Sequence, residues 1–232
     1  MTTAPAVWAH RGASAAFREN TLDAFAGAIA LGADGIELDV RRTADGALAV
    51  HHDVALADGR PIVRLRADEL PAFVPFLDAA LDACAGVMVN IEIKNVPVEA
   101  DYDPDESVAA GVAQLVAERN LHESVIVSSF SLSAIDAVRA ADDRIPTAWL
   151  TLPNYDQISA CELVVERGHS ALHPEHPGVT ASVVDAARRH GIALNTWTVD
   201  DPAEMARLAA LGVDAIVTNV PDVALKTFWG NA

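Results

Sequence analysis

The chain has 232 residues, of which 51% are hydrophobic and 21% charged, and a formal net charge of −17. That length suits a single domain spanning residues 1–232, because α/β barrels of roughly 200–250 residues commonly form one unit. The charge argues against nucleic acid or an anionic membrane surface as a partner, since both would repel an acidic protein.

The opening stretch Met1–Pro5 is short and uncharged, with no apolar leader behind a basic cluster. No apolar run reaches the roughly 20 residues of a membrane span. Cys84 and Cys161 lie far apart without metal-ligand spacing and read as buried thiols. These features point to the cytoplasm and to no stable membrane association.

In chain order, short apolar runs alternate with amphipathic stretches. Strands are predicted at Val7–Ala9, Ile36–Val40, Leu48–Val50, Val87–Ile93, Val125–Val127, Thr147–Leu150, Ala171–Leu172, Ala193–Trp197 and Ala215–Val217. Most are apolar without alternation, as in strands covered on both faces of a parallel sheet. Leu22, Phe25 and Ile29 mark a helix after the capping candidates Asn20 and Thr21. Val108, Val112, Leu115 and Val116 mark another. Ser131, Thr180 and Asp201 each precede a further apolar stripe, and Asp201-Pro202 is a cap followed by proline at the first helical position. That last helix stops at Gly212.

Strand–helix alternation implies βαβ units. The strands at 36–40 and 48–50 are joined by the turn Thr43-Ala44-Asp45-Gly46, so that pair reads as a hairpin excursion. Eight strands remain, enough to close a (β/α)8 TIM-type barrel; a doubly wound open sheet is the alternative. The segment 54–71 reads as a loop or small insertion.

Active sites of such barrels lie at the C-terminal strand ends. There the sequence places His10-Arg11-Gly12, Glu37-Leu38-Asp39, His51-His52-Asp53 and Glu92-Ile93-Lys94. Residues two apart on a strand share a face, so Glu37 and Asp39 project together. Carboxylates crowded this way raise one another's pKa, and a hard divalent cation, Mg²⁺ or Ca²⁺, relieves the conflict. The competing explanation is salt bridges to Arg11, Arg41 or Lys94. Lys94 is one of only two lysines against fourteen arginines, which suggests a site that needs a compact point charge. Two histidines at neighbouring strand ends suit acid/base work; alternation lets only one of His51 and His52 face the barrel mouth. His173, Glu175, His176 and Trp197 are weaker candidates, read as packing or rim, while His122, His169 and His190 read as surface or helix-end residues.

Taken together, His10-Arg11-Gly12, Glu19-Asn20-Thr21, Gly32 to Val40, Thr43 with Asp45-Gly46, His52-Asp53, Glu92-Ile93-Lys94, Trp197-Thr198-Val199 and Gly212 to Thr218 resemble the glycerophosphodiester phosphodiesterase family in order and spacing. The resemblance implies a barrel with a small insertion after its second strand. It implies a divalent cation held by Glu37, Asp39 and Glu92, and His10 with His52 as the acid/base pair. It also implies Arg11 and Lys94 at the phosphate; Trp197, by its place near a strand end, is a further candidate for substrate contact. The implied activity releases glycerol 3-phosphate and an alcohol from small glycerophosphodiesters, by attack of a glycerol hydroxyl on phosphorus and hydrolysis of the cyclic phosphate. A lysophospholipid or sphingolipid phosphodiesterase, a metal-dependent sugar isomerase and a non-catalytic ligand-binding barrel are the rival readings. The sequence departs from the family in its shorter 54–71 segment and in Thr218-Asn219, where the family has Thr-Asp.

Overall fold

The computed structural model describes residues 4–230. Nine strands form one sheet: β1 (Ala6–His10), β2 (Gly35–Arg42), β3 (Leu48–Val50), β4 (Met88–Ile93), β5 (Val125–Ser129), β6 (Thr147–Thr151), β7 (Ala171–Pro174), β8 (Ala193–Thr196) and β9 (Ala215–Thr218). Eight of them are parallel and close on themselves, because β1 pairs with both β2 and β9. This closure excludes the open doubly wound sheet. β3 is the exception: it runs antiparallel to β2, with Val40 opposite Val50, as the turn at 43–46 predicts.

Eight helices follow the strands: α1 (Leu22–Leu31), α2 (Leu77–Ala83), α3 (Ser107–Arg119), α4 (Leu132–Ala141), α5 (Gln157–Glu166), α6 (Ala181–His190), α7 (Pro202–Leu211) and α8 (Pro221–Trp229). The predicted caps are in place. Ser131, Thr180 and Asp201 accept hydrogen bonds from the backbone N–H groups of Ala134, Val183 and Glu204, and Gly212 ends α7 in the left-handed conformation. Helices α2, α5 and α8 have no counterpart in the sequence expectations. The segment 54–71 carries two short 3₁₀ turns, Ile62–Arg64 and Ala67–Glu69, held by a small cluster of Ala49, Leu56, Ile62, Leu65 and Val74.

Side chains sort by the two-residue strand period. Ile36, Leu38 and Val40 of β2 point outward into the layer under the helices, and all three are fully buried. The inner face is filled low down by Trp8, Ile126, Ala148, Ala171, Ala215 and Val217, with Met88 and Ala193 packed against them. Small residues dominate because eight strands leave an interior just wide enough to fill. One level higher the inner face becomes polar, and the site begins there.

The turn after β1 is tightly constrained. Arg11 and Gly12 both have positive φ, 56° and 79°, and a Cβ on Gly12 would lie 2.6 Å from the carbonyl carbon of Ala24. Only glycine fits. Gly12→Ala is therefore expected to destabilise the fold by about 2–4 kcal/mol, read as a lower urea midpoint with unchanged slope; a midpoint within error of the wild type would contradict this packing.

Candidate active site

The strand register assembles the site. His10 is level with Glu37, and Glu37 with Asn90; Asp39 is level with Glu92, and Glu92 with Ser128. One ligand oxygen each from Glu37, Asp39 and Glu92 can be chosen so that all lie within 4.8 Å of one another, and all three residues are buried. Lys94, just past β4, places its ammonium 2.6 Å from Glu92 Oε1 and 3.2 Å from Asp39 Oδ1. Arg11 Nε lies 3.2 Å from Asp39 Oδ2, while the Arg11 guanidinium also donates to Glu19 at 3.0 and 3.1 Å. The backbone N–H of Arg11 donates to Glu37 Oε2 at 3.0 Å, a bond that the positive φ at Arg11 makes possible.

The electrostatics follow from this crowding. Burial, then the neighbouring Asp39 and Glu92 charges, push the Glu37 carboxyl well above the usual range. Burial also raises Glu92 despite Lys94 beside it. Burial would raise Asp39 too, but Lys94, Arg11, His52 and the amide of Asn20 outweigh it and hold Asp39 at about 2. For Lys94, desolvation is outweighed by Glu92 and Asp39, so its ammonium is held above the ordinary value.

Glu37 Oε1 is buried without any hydrogen-bond partner, as is Asn90 Oδ1. A carboxylate oxygen facing two other carboxylates without a donor is unfavourable unless a cation completes it. The donor set is all oxygen, which suits a hard divalent ion. The residues therefore fit a cation, and the salt bridges to Lys94 and Arg11 neutralise the cluster only in part.

A cavity of about 210 Å³ opens over the cluster. Its lining includes every residue singled out in the sequence for catalysis or substrate contact: His10, Arg11, His52, Lys94 and Trp197, together with Glu37 and Glu92. His52, and not His51, faces it; His51 lines a smaller neighbouring pocket with Arg18, Phe73 and Val74. His52 Nδ1 lies 2.8 Å from Asp53 Oδ1, and that hydrogen bond lowers the Asp53 pKa. His52 is also anchored from behind: fully buried Arg41 donates from Nε to its carbonyl at 2.8 Å and reaches Glu99 and Asp101 with NH1. The His10 pKa is lowered, by burial and then by the Arg11 charge, so its imidazole is neutral near pH 7.

Several contributors escape sequence reasoning. Asn20, a capping candidate, does not cap α1; Thr21 does, accepting from Ala24 N–H at 3.2 Å. Asn20 instead adopts φ 55° and brackets Asp39, donating to Oδ2 at 2.8 Å and accepting from its backbone N–H at 3.3 Å. Phe130, Leu150 and Val217 supply an apolar side to the cavity. Asn219 reaches His10 Nδ1 at 2.7 Å. Glu175 and His176 stand outside the cavity, with His176 paired to Glu204 at 2.9 Å. His169, read as a surface or helix-end residue, does lie in the turn after α5 but is buried there, between Thr147 and Asp136, because that turn leads into β7.

His173, expected to be rim or packing, is 1% exposed and lines the cavity. Its Nε2 lies 2.9 Å from Asn195 Nδ2, and Trp8 packs edge-on against its ring. Burial drives its pKa down to about 3. The unfolded chain binds a proton on this imidazole below about 6.5, whereas the folded chain resists doing so until about 3. Acidification through that window therefore favours unfolding, by roughly 2 kcal/mol at pH 5.0. In His173→Gln the fall in unfolding free energy from pH 7.5 to 5.0 is expected to shrink by about that amount, measured by urea melts; equal falls in the two proteins would contradict a neutral buried imidazole.

A buried cluster of three carboxylates lies with Lys94, Arg11 and three histidines at the C-terminal mouth of a (β/α)8 barrel, where active sites of this fold lie. Comparison with known proteins gives the family. Residues 10–223 match the model of the glycerophosphoryl diester phosphodiesterase family. A glycerophosphodiester phosphodiesterase of Caldanaerobacter subterraneus subsp. tengcongensis is 30% identical, the match covering 95% of this chain and 96% of the relative. A glycerophosphodiester phosphodiesterase of Bacillus altitudinis is also 30% identical, with the same coverage. Among solved structures, the glycerophosphodiester phosphodiesterase of Thermotoga maritima superimposes with a TM-score of 0.81 at 28% identity, covering 96% of this chain and 97% of that one. A phosphodiesterase of Oleispira antarctica, solved with its product sn-glycerol-3-phosphate, shares the fold with a TM-score of 0.85 at 21% identity over 97% and 96%. The chain belongs to the glycerophosphoryl diester phosphodiesterase family and is a phosphodiesterase. Among the described residues, no helix is long and apolar enough to cross a membrane.

Proposed function

We propose that this enzyme cleaves small, deacylated glycerophosphodiesters into glycerol 3-phosphate and an alcohol, with His10 and His52 exchanging the protons. The observation that carries this reading is the placement of both imidazoles, Arg11 and Lys94 around one cavity above the carboxylate cluster. The product bound by the Oleispira antarctica relative supports the choice of substrate.

Glu37, Asp39 and Glu92 would hold a divalent cation, Mg²⁺ or Ca²⁺. When bound there it supplies positive charge for a phosphoryl oxygen and for the attacking hydroxyl. Arg11 and Lys94 orient the phosphate and spread its charge. The apolar side formed by Phe130, Leu150, Trp197 and Val217 fits the carbon face of a glycerol unit.

Neutral His10 takes the proton of the glycerol hydroxyl as its oxygen attacks phosphorus. His52, its Nδ1 facing the Asp53 carboxylate, gives a proton to the departing alkoxide. The P–O bond to the head-group alcohol breaks as the ring P–O bond forms, leaving a cyclic phosphate. In the second half the roles reverse: His52 accepts a proton from water, the hydroxide adds to phosphorus, and His10 returns its proton to the glycerol oxygen. Each histidine ends as it began.

Release of glycerol 3-phosphate from glycerophosphocholine is the direct test, followed with an enzyme-coupled assay. Turnover is expected with Mg²⁺ or Ca²⁺ and not with excess chelator. His10→Ala and His52→Ala are each expected to lower kcat by about 10²–10⁴. Full activity in chelator, or in either variant, would overturn the mechanism; no release with either ion from folded, metal-loaded enzyme would overturn the substrate.

A further inference from the structure

The two nitrogens of His10 face different surroundings. Nε2 points to the carboxylate cluster, 3.8 Å from Glu37 Oε2. Nδ1 lies 2.7 Å from the side-chain oxygen of Asn219. Which nitrogen carries the proton decides whether His10 can accept one from the substrate, since a neutral imidazole has one donor and one acceptor.

The direction of the Asn219 amide is fixed by Asp200, on the loop between β8 and α7. Asn219 Nδ2 donates to Asp200 Oδ2 at 2.7 Å. The Asn219 backbone N–H and the Thr218 hydroxyl donate to Asp200 Oδ1 at 2.8 and 2.9 Å. A carboxylate offers only acceptors, so the amide NH₂ must face Asp200 and the amide oxygen must face His10. The Ser14 hydroxyl, which can donate, lies 2.9 Å from that same oxygen and is compatible with this orientation. An oxygen facing His10 requires an N–H at Nδ1, and Nε2 is left with its lone pair toward the cavity.

We propose that Asn219, locked by Asp200, is a positioning residue that sets the Nδ1–H tautomer of His10 and so leaves Nε2 free to receive the substrate proton. The inference rests on the reading of His10 as proton acceptor. It adds a two-residue device, drawn from the ends of β8 and β9, that turns a charged surface carboxylate into a neutral acceptor at the imidazole. The amide fixes the ring without placing a second negative charge beside the carboxylate cluster.

The test has two readouts. Long-range ¹H–¹⁵N correlation spectra of histidine-labelled, Mg²⁺-loaded enzyme at pH 7.5, with His10→Ala to identify the signal, report the His10 tautomer directly. The wild type is expected to show a protonated Nδ1 and a bare Nε2. In Asn219→Leu the signal is expected to move toward the Nε2–H form, while kcat on glycerophosphocholine falls at least about tenfold with KM changed less than about twofold. Asp200→Asn removes the acceptor-only carboxylate that holds the Asn219 NH₂, frees the amide to turn, and is expected to shift the tautomer in the same direction as Asn219→Leu, a result that a merely structural Asn219 would not require. A protonated Nε2 in the wild type, or an unchanged spectrum in a folded Asn219→Leu, would overturn the proposal. The turnover of His10→Ala, measured alongside, reports on the proton-acceptor reading alone, because the spectra decide the tautomer without reference to activity.

Discussion

Three carboxylates sit close together inside a barrel that has little freedom to move them apart. Glu37 and Asp39 share the inner face of β2, and Glu92 lies beside Asp39 on β4. Their separation is set by the strand spacing and by hydrogen bonds running the length of both strands, so repulsion cannot be relaxed by small shifts of the backbone. It has to be met by positive charge. Arg11 and Lys94 meet part of it, and the unpartnered oxygen of Glu37 marks the part they leave. The consequences run outward from there. Asn20 is drawn into a left-handed conformation to bracket Asp39, and the Arg11–Gly12 turn aims a backbone N–H at Glu37.

The same constraint explains how an acidic protein handles an anionic ester. A net charge of −17 repels a phosphodiester at long range, but that field is screened over about 8–10 Å in physiological salt. At the mouth the local groups dominate: a lysine, an arginine and three imidazoles surround one small cavity over a carboxylate cluster that could hold a cation. Burial keeps His10 neutral there, while the carboxylate of Asp53 stands behind His52. The two histidines thereby stand in unlike settings, His10 buried beside Arg11 and His52 against a carboxylate.

Much of this was legible in the sequence, for a definite reason. Strand periodicity places Glu37 and Asp39 on one face without any knowledge of the fold, and the barrel's eight strands follow from short apolar runs between amphipathic helices. What escaped depends on contacts between segments distant in the chain. Asn20 looks like a cap because it precedes a helix; its real partner is Asp39, nineteen residues on. Asn219 and His10 are 209 residues apart and meet only because β9 closes the barrel onto β1. His169 reads as a surface or helix-end residue, and it is its contact with Thr147 at the start of β6, 22 residues away, that buries it. Among the helices, α2 spans only seven residues, and α5 buries Gln157, Ala160, Cys161 and Val164, a face too weakly apolar to show as a stripe.

Calorimetric titration of Mg²⁺ into chelator-treated enzyme, with Glu37→Gln and Glu92→Gln alongside, tests the central claim that the carboxylate cluster is completed by a cation. The expected result is one ion bound per chain, with affinity weakened at least about tenfold in each variant. Undiminished binding in both variants, or no binding to a folded wild type by either Mg²⁺ or Ca²⁺, would contradict it.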